Sequence, residues 1–384
     1  MKTVAEFFAG IGLMRLGLER AGWRTVWAND IDSDKFEIYR GHFSDSKEHF
    51  VLGDVHKIDP SMFPDVSLAT ASFPCNDLSL AGARKGLAGT HSSAFWGFIR
   101  VLDEIKSRRP NIVLLENVPG FLTSNNGDDF RDACVALNGL GYSLDALMID
   151  AARFVPQSRV RLFIIGTQDT HPSTSLKETP SFLEHSARPA ALADFILWNP
   201  DIKWHIRDLP CLPTRKHHLN DVLENLPHNS AFWWNPERAQ YLLNQMSPKH
   251  RQVANEMIAG PMKSYGTIFR RVRNGKSMAE LRTDGLAGCL RTPRGGSGRQ
   301  ILFVGGSGEY RVRLLTPREC ARLMGAHDYT LNKALNLNQA LFGFGDAVCV
   351  DVIEWIAHHY LNPIHQELIS SSGYGRPRSP RYTT

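Results

Sequence analysis

Short apolar runs alternate with amphipathic stretches through the first 166 residues, and that alternation leaves few folds open. The runs Thr3 to Phe8, Thr25 to Asn29, Val66 to Ser72, Ile112 to Glu116, Ser143 to Ile149 and Arg161 to Gly166 read as strands. Between most of them, Leu13 to Ala21, Asp34 to His42, Ala94 to Ser107 and Phe130 to Leu140 read as helices. Strands spaced by helices predict an α/β fold, a doubly wound Rossmann-like sheet that binds ligands at the carboxyl ends of its strands.

The pattern breaks near Asp169. From 169 to 312 the periodicity is irregular and rich in Pro, Trp, Asn and His, as in Phe232-Trp233-Trp234-Asn235-Pro236. At 384 residues the chain exceeds the usual single core, so a second, smaller irregular domain is expected there beside a larger one spanning 1–168. Thr316 and Pro317 open a helix through Met324, with Thr316 as N-cap, and Val348 to Tyr360 reads as a last amphipathic helix. These helices have no core of their own, so 313–369 is expected to dock back on the first domain. The polar, basic stretch 370–384 is expected to be disordered.

Composition narrows the function classes. No apolar stretch is long enough for a membrane span, and the N-terminus has no signal-peptide pattern, which predicts a cytoplasmic protein with no membrane partner. The six cysteines include no CxxC pair and the histidine doublets lack ligand-spaced partners, so neither a disulfide framework nor a bound metal is expected. The net charge of +5 is unevenly spread: eleven Lys and Arg face three acidic residues between Met262 and Arg313. Arginines interleaved with glycines suit close approach to phosphates.

Candidate site residues fall at the predicted strand ends. Phe73-Pro74-Cys75-Asn76 follows an apolar run and would hold one thiol rigidly, where a nucleophile would sit. Phe8-Ala9-Gly10-Ile11-Gly12 joins the first strand to a helix, but Arg15 stands where a nicotinamide-type GxGxxG needs its third glycine. Asp30, beside Ile31, and Asp54, beside Val55, are acids at two further strand ends, able to accept from ribose hydroxyls. Glu116 follows a buried-strand pattern, where desolvation favours the protonated carboxyl and suits it to donate a proton. Gln157-Ser158-Arg159-Val160-Arg161 puts two guanidiniums on one side of an extended segment, as if awaiting an anion or a carbonyl.

In this order the motifs resemble those of the DNA (cytosine-5) methyltransferases of bacterial restriction-modification systems. The resemblance rests on Phe-Ala-Gly-x-Gly, a strand-end acid, Pro-Cys, Glu-Asn-Val and Gln-x-Arg-x-Arg. A variable region, Pro-Arg-Glu-Cys-Ala-Arg-Leu-Met-Gly and a final Gly-x-Gly-Asp-Ala-Val complete it. It implies an S-adenosyl-L-methionine (AdoMet)-dependent enzyme, most simply a monomer on the nucleoid, paired with a cognate restriction endonuclease. Such an enzyme would methylate carbon 5 of a cytosine flipped out of double-stranded DNA. Cys75 would attack ring carbon 6 and Glu116 would bond or protonate ring nitrogen 3. Arg161 would hold the cytosine carbonyl oxygen, Arg159 would support the thiolate and nearby backbone, and Asn117 and Pro74 would shape the nucleophile loop. Phe8, Ala9, Gly10, Ile11, Gly12, Asp30, Ile31, Asp54, Val55, Asp346 and Ala347 would line the cofactor site, with Asp30 on the ribose and Phe8 and Ile31 against the adenine.

The region 169–312 would then recognise the target. Arg271, Arg273, Arg291, Arg294 and Arg299 are its candidate DNA contacts, able to hold phosphates or read guanine edges. Two positions depart from the family pattern: Leu13 replaces a common glycine, and Asp346 stands where asparagine is commoner. Two other readings stay open. One is an RNA methyltransferase, against which the long variable region and the lack of a Cys-Phe-Thr signature count. The other is a DNA binder without turnover, against which Cys75, Glu116, Arg159 and Arg161 count.

Overall fold

The computed structural model describes residues 1–74, 93–168, 184–291, 299–331 and 337–371. Seven strands form one sheet: β1 Thr3–Phe7, β2 Arg24–Asp30, β3 Phe50–Leu52, β4 Leu68–Ala71, β5 Ile112–Asn117, β6 Ser143–Asp150 and β7 Val160–Thr167. Their order is β3-β2-β1-β4-β5-β7-β6. The first five are parallel, while β7 runs antiparallel to both β5 and β6.

The sheet is covered on both faces, which explains the continuous apolar runs. In β5, Ile112 and Leu114 enter one apolar cluster, and Val113 and Leu115 enter the other; a strand buried on both sides needs no polar alternation. Helices α1 Leu13–Arg20 and α2 Ser33–His42 cover the first face together with the C-terminal helices. Helices Ser93–Glu104, Asp128–Gly139 and Ala190–Trp198 cover the second. The winding reverses between β1 and β4, which opens a crevice at their carboxyl ends.

The C-terminal helices pack on the first face. Thr316 caps helix Pro317–Leu323 through a reciprocal box with Glu319. A Cβ at Gly17 would lie 2.7 Å from both Ile353 and the Val350 carbonyl, so α1 and helix Val350–Ile356 meet closely because of that glycine. The expected last helix does not stop at Tyr360. It passes through one π turn, Ala357–Leu361, into helix Asn362–Ser371.

Two expectations for 169–312 need correction. Residues 187–206 supply Leu192, Ile196, Trp204 and Ile206 to the large sheet's second cluster, and the Leu144 amide donates to the Lys203 carbonyl at 2.8 Å. A fully buried Arg188–Asp145 ion pair at 2.7 Å fixes this stretch to β6. Nor is the remainder irregular. It holds an antiparallel sheet, β11-β10-β8-β9, from β8 Ser264–Arg273, β9 Lys276–Arg282, β10 Ile301–Gly306 and β11 Glu309–Leu314.

One face of this small sheet, with Ile268, Ala279, Phe303 and Val312, packs on helices Pro236–Asn244 and Pro248–Ala259. On the other face, Leu302 joins the large core. Arg313 of β11 reaches Glu319 in a buried bidentate pair at 2.6 and 2.5 Å, tying the small sheet to the C-terminal helices.

Candidate active site

At the carboxyl end of β1 the chain turns sharply. Phe8 has φ 57° and Gly10 and Gly12 have φ 56° and 81°, a left-handed region that costs a side chain and suits glycine. A Cβ on Gly12 would fall 2.4–2.9 Å from the rings of Phe43 and Tyr39, so α1 can start here against α2 only without one. Gly10 differs: the nearest atom to its added Cβ is 4.0 Å away, and nothing lies within 4 Å at Gly53. These two glycines border open space. Ala9 and Ile11 turn into the core, so they offer backbone to a ligand.

Asp30 ends β2 and receives the amides of Gly10 at 2.8 Å and Asp32 at 2.9 Å. Burial pushes this carboxyl above its ordinary range, against the pull of Lys35 and the two amides. Ile31 beside it is 70% exposed, an apolar side chain at the rim of the crevice. Asp54 caps the turn after β3 through the His56 amide, and Val55 is buried. Asp346 pairs with Lys35 at 2.8 Å. An exposed apolar rim, an acid and two open glycines fit an adenosine-type group. Arg15, at the missing glycine, is instead buried and bonded to Glu19 and Asp45, which leaves no pyrophosphate cradle.

At the carboxyl ends of β4 and β5 a second group of residues converges. Glu116 is 6% exposed, and Arg161 Nε lies 3.0 Å from its Oε1. The expectation for Glu116 rested on burial alone; the structure adds a guanidinium. Asn117 donates to the Phe73 carbonyl at 3.3 Å, so it grips the segment that leads through Pro74 to position 75. Cys75 lies outside the described residues.

Each of the two guanidiniums has partners within the chain. Arg161 is ion-paired, and Arg159 is buried and donates to the carbonyls of Leu290, Gly345 and Ala347 at 2.9, 3.1 and 2.5 Å. Burial and the neighbouring Arg161 press the Arg159 guanidinium below the usual arginine range. Backbone carbonyls can satisfy a buried cation without a carboxylate partner, which the sequence spacing could not reveal.

The residues before Arg159 hold the region of the small sheet in register. Gln157 accepts from the Leu290 amide at 2.9 Å and donates to the Leu323 carbonyl at 2.8 Å. The amides of Ser158 and Ala287 bond the carbonyls of Ala287 and Pro156. Cys289, which the sequence reading passed over, puts its Sγ 3.2 Å from Arg159 Nη1. Burial would raise this thiol, but Arg159, Arg161 and Arg291 prevail and hold it below the ordinary cysteine range.

On the small sheet, cross-strand register gathers Arg271, Arg273, Lys276, Arg282 and Arg311 on the face opposite the helices. Arg273 pairs with Glu280 at 3.1 Å, Arg282 pairs with Asp284, and Arg271 lies over the Phe269 ring. Arg291 is exposed. Arg299 donates to Asn338 at 2.6 Å and so joins helix Leu337–Asp346. Arg313, counted in the basic run, is consumed by Glu319. Arg294 lies outside the described residues. The signals that would have revealed this sheet are Asn274-Gly275 and Ser307-Gly308, two-residue turns with φ between 50° and 80° that close its hairpins.

A family model described as C-5 cytosine-specific DNA methylase matches residues 2–362. The type II methyltransferase M.Bsp6I of Bacillus sp. (strain RFL6) is 26% identical over 363 residues, 94% of this chain and 98% of that relative. M.HhaI of Haemophilus parahaemolyticus, also a type II methyltransferase, is 26% identical over 360 residues, 92% of each. Among solved structures, the Dnmt2 methyltransferase of S. pombe superposes with a TM-score of 0.63 at 20% identity, over 95% of this chain and 99% of that one. A putative DNA modification methyltransferase from an E. coli prophage gives 0.53 at 19% identity, over 95% and 100%. At these identities the two structures speak to the fold.

Proposed function

The chain belongs to the C-5 cytosine-specific DNA methylase family, and from that premise we propose that it methylates carbon 5 of a flipped-out cytosine in one short double-stranded DNA sequence. The observation that carries this reading is that the Glu116–Arg161 pair, the Asn117-held approach to position 75, and the open space at Gly10 and Gly53 near Asp30 all lie at the carboxyl end of the same sheet.

A cytosine ring inside the stack is closed to attack, so the base must leave the duplex first. The Cys75 thiolate adds to ring carbon 6 while Glu116 bonds or protonates ring nitrogen 3, and the electron pair moves to carbon 5. Arg161 serves both partners, orienting Glu116 and holding the cytosine carbonyl oxygen. Phe8, Gly10, Asp30, Ile31 and Asp54 would hold AdoMet, which would supply the methyl group for carbon 5 and leave as the neutral thioether. Loss of the carbon-5 proton then restores the ring and releases Cys75.

Arg159 would support the thiolate and the nearby backbone. Its carbonyl bonds support a role in tying the recognition segment at Leu290 to the wall at Gly345 and Ala347. Recognition falls to residues 226–314, whose basic sheet face would meet phosphates and base edges. Because relatives are named type II methyltransferases, we extend the reading to protection of DNA against a cognate restriction endonuclease, by an enzyme that acts as a monomer. No helix among the described residues is long and apolar enough to cross a membrane.

DNA bearing 5-fluorocytosine tests the covalent step, because fluorine cannot leave as the proton does. The expected result is an adduct resistant to denaturant that needs AdoMet and is absent with Cys75→Ser. Methylation of ordinary DNA without any such adduct would overturn the covalent route.

A further inference from the structure

Lys35, the third residue of α2, extends its ammonium to Asp346 Oδ2 at 2.8 Å, beside the end of β2. Its surroundings are acidic. Burial alone would favour the neutral amine, but Asp346, Asp30 and Asp32 prevail and hold Lys35 above the ordinary lysine range. A second link joins the same two helices, since Gln339 donates to Asp34 at 3.4 Å.

The residue Lys35 grips is held from its other side as well. The carbonyls flanking Asp346, those of Gly345 and Ala347, both accept from Arg159 Nη2. One short segment is therefore fixed from the crevice end by Lys35 and from the cytosine end by Arg159. An asparagine at 346 would offer a lysine no charge; the aspartate of this chain does, and Lys35 is its complement.

We propose that Lys35 is a positioning residue for the cofactor: by pinning and neutralising Asp346 beside Asp30, it fixes Gly345–Asp346–Ala347 as the common wall of the cofactor and cytosine sites. This rests on the reading that the crevice takes AdoMet. Without Lys35, Asp30, Asp32 and Asp346 face one another uncompensated, and the wall loosens at the crevice end while Arg159 still holds the other.

The test is calorimetric titration of the full-length protein with S-adenosylhomocysteine, without DNA. It compares the parent with Lys35→Met, Lys35→Arg, Asp346→Asn and the Lys35→Met/Asp346→Asn double variant, with melting temperature as the check on folding. Lys35→Met is expected to weaken binding about tenfold, the worth of one charge-assisted contact, and Lys35→Arg to restore most of it. The double variant should bind no more weakly than Lys35→Met, because the two residues act as one unit. The Michaelis constant for AdoMet should rise while turnover at saturation stays within about twofold of the parent. A parent that binds no cofactor would instead unseat the reading of the crevice. A parent that binds, with Lys35→Met binding equally well or Lys35→Arg as weak as Lys35→Met, would overturn the role of Lys35.

Discussion

The two sheets of this protein solve the same problem in opposite ways. The large, mostly parallel sheet is buried on both faces and presents its chemistry at strand ends, where Asp30, Glu116 and the approach to position 75 lie. The small antiparallel sheet is buried by helices on one face and, beyond the part of the other face that meets the large core, presents basic residues such as Arg271, Arg273 and Lys276. A site at strand ends can hold a few atoms in fixed geometry, as bond-making needs. A charged face follows an extended polyanion and tolerates the loss of one contact. The lesson is that substitutions in the first sheet should change rate, and substitutions in the second should change affinity and choice of sequence.

The largest effect expected from this contrast is on turnover. Glu116→Gln should lower single-turnover methyl transfer about 10²–10⁴-fold while leaving DNA affinity near that of the parent, as read by fluorescence anisotropy. Equal losses of rate and affinity would erase the division between the sheets.

A stability effect confined to the parallel sheet comes next. Glu6, on β1 beneath the glycine turn, has an Oε2 without a hydrogen-bond partner, and burial pushes its carboxyl up to about 8 although Arg15 opposes this. The folded chain keeps this proton where the unfolded chain releases it, so stability falls as pH rises from the ordinary carboxylate range to about 8, and no further beyond. The melting temperature of Glu6→Gln should therefore exceed that of the parent by a margin that widens between pH 5 and pH 8. A margin independent of pH would contradict the assignment.

The smallest effect belongs to the basic face. Arg271→Ala should weaken DNA binding across sequences and lower the slope of log affinity against log salt by about 1, with methyl transfer at saturating DNA unchanged. A loss of rate at saturation would place Arg271 among the catalytic groups.

The same contrast explains what was legible in the sequence. Ile112 to Glu116 announces a strand and an acid at its end because double burial leaves an unbroken apolar run. Tyr265 to Arg273 does not, because its exposed arginines read as a charge run; only Asn274-Gly275 marks the turn. The glycine turn, Asp30, Glu116 and the Thr316 cap were visible because each depends on neighbours in sequence. The pairing of Glu116 with Arg161, the carbonyl shell of Arg159 and the Lys35–Asp346 contact were not, since each joins segments brought together only by the fold. Residues 187–206 were given to the second domain because the strand–helix alternation stops near Asp169, yet their apolar side chains complete the core of the first sheet.

The central claim is that this chain methylates cytosine in DNA through Cys75. Bisulfite sequencing of plasmid DNA from cells expressing the protein, beside cells expressing Cys75→Ser, tests it most directly. The account predicts protected cytosines in one short recurring sequence with the parent and none with the variant. Unmodified DNA despite soluble, folded parent protein, or equal modification by both, would contradict it.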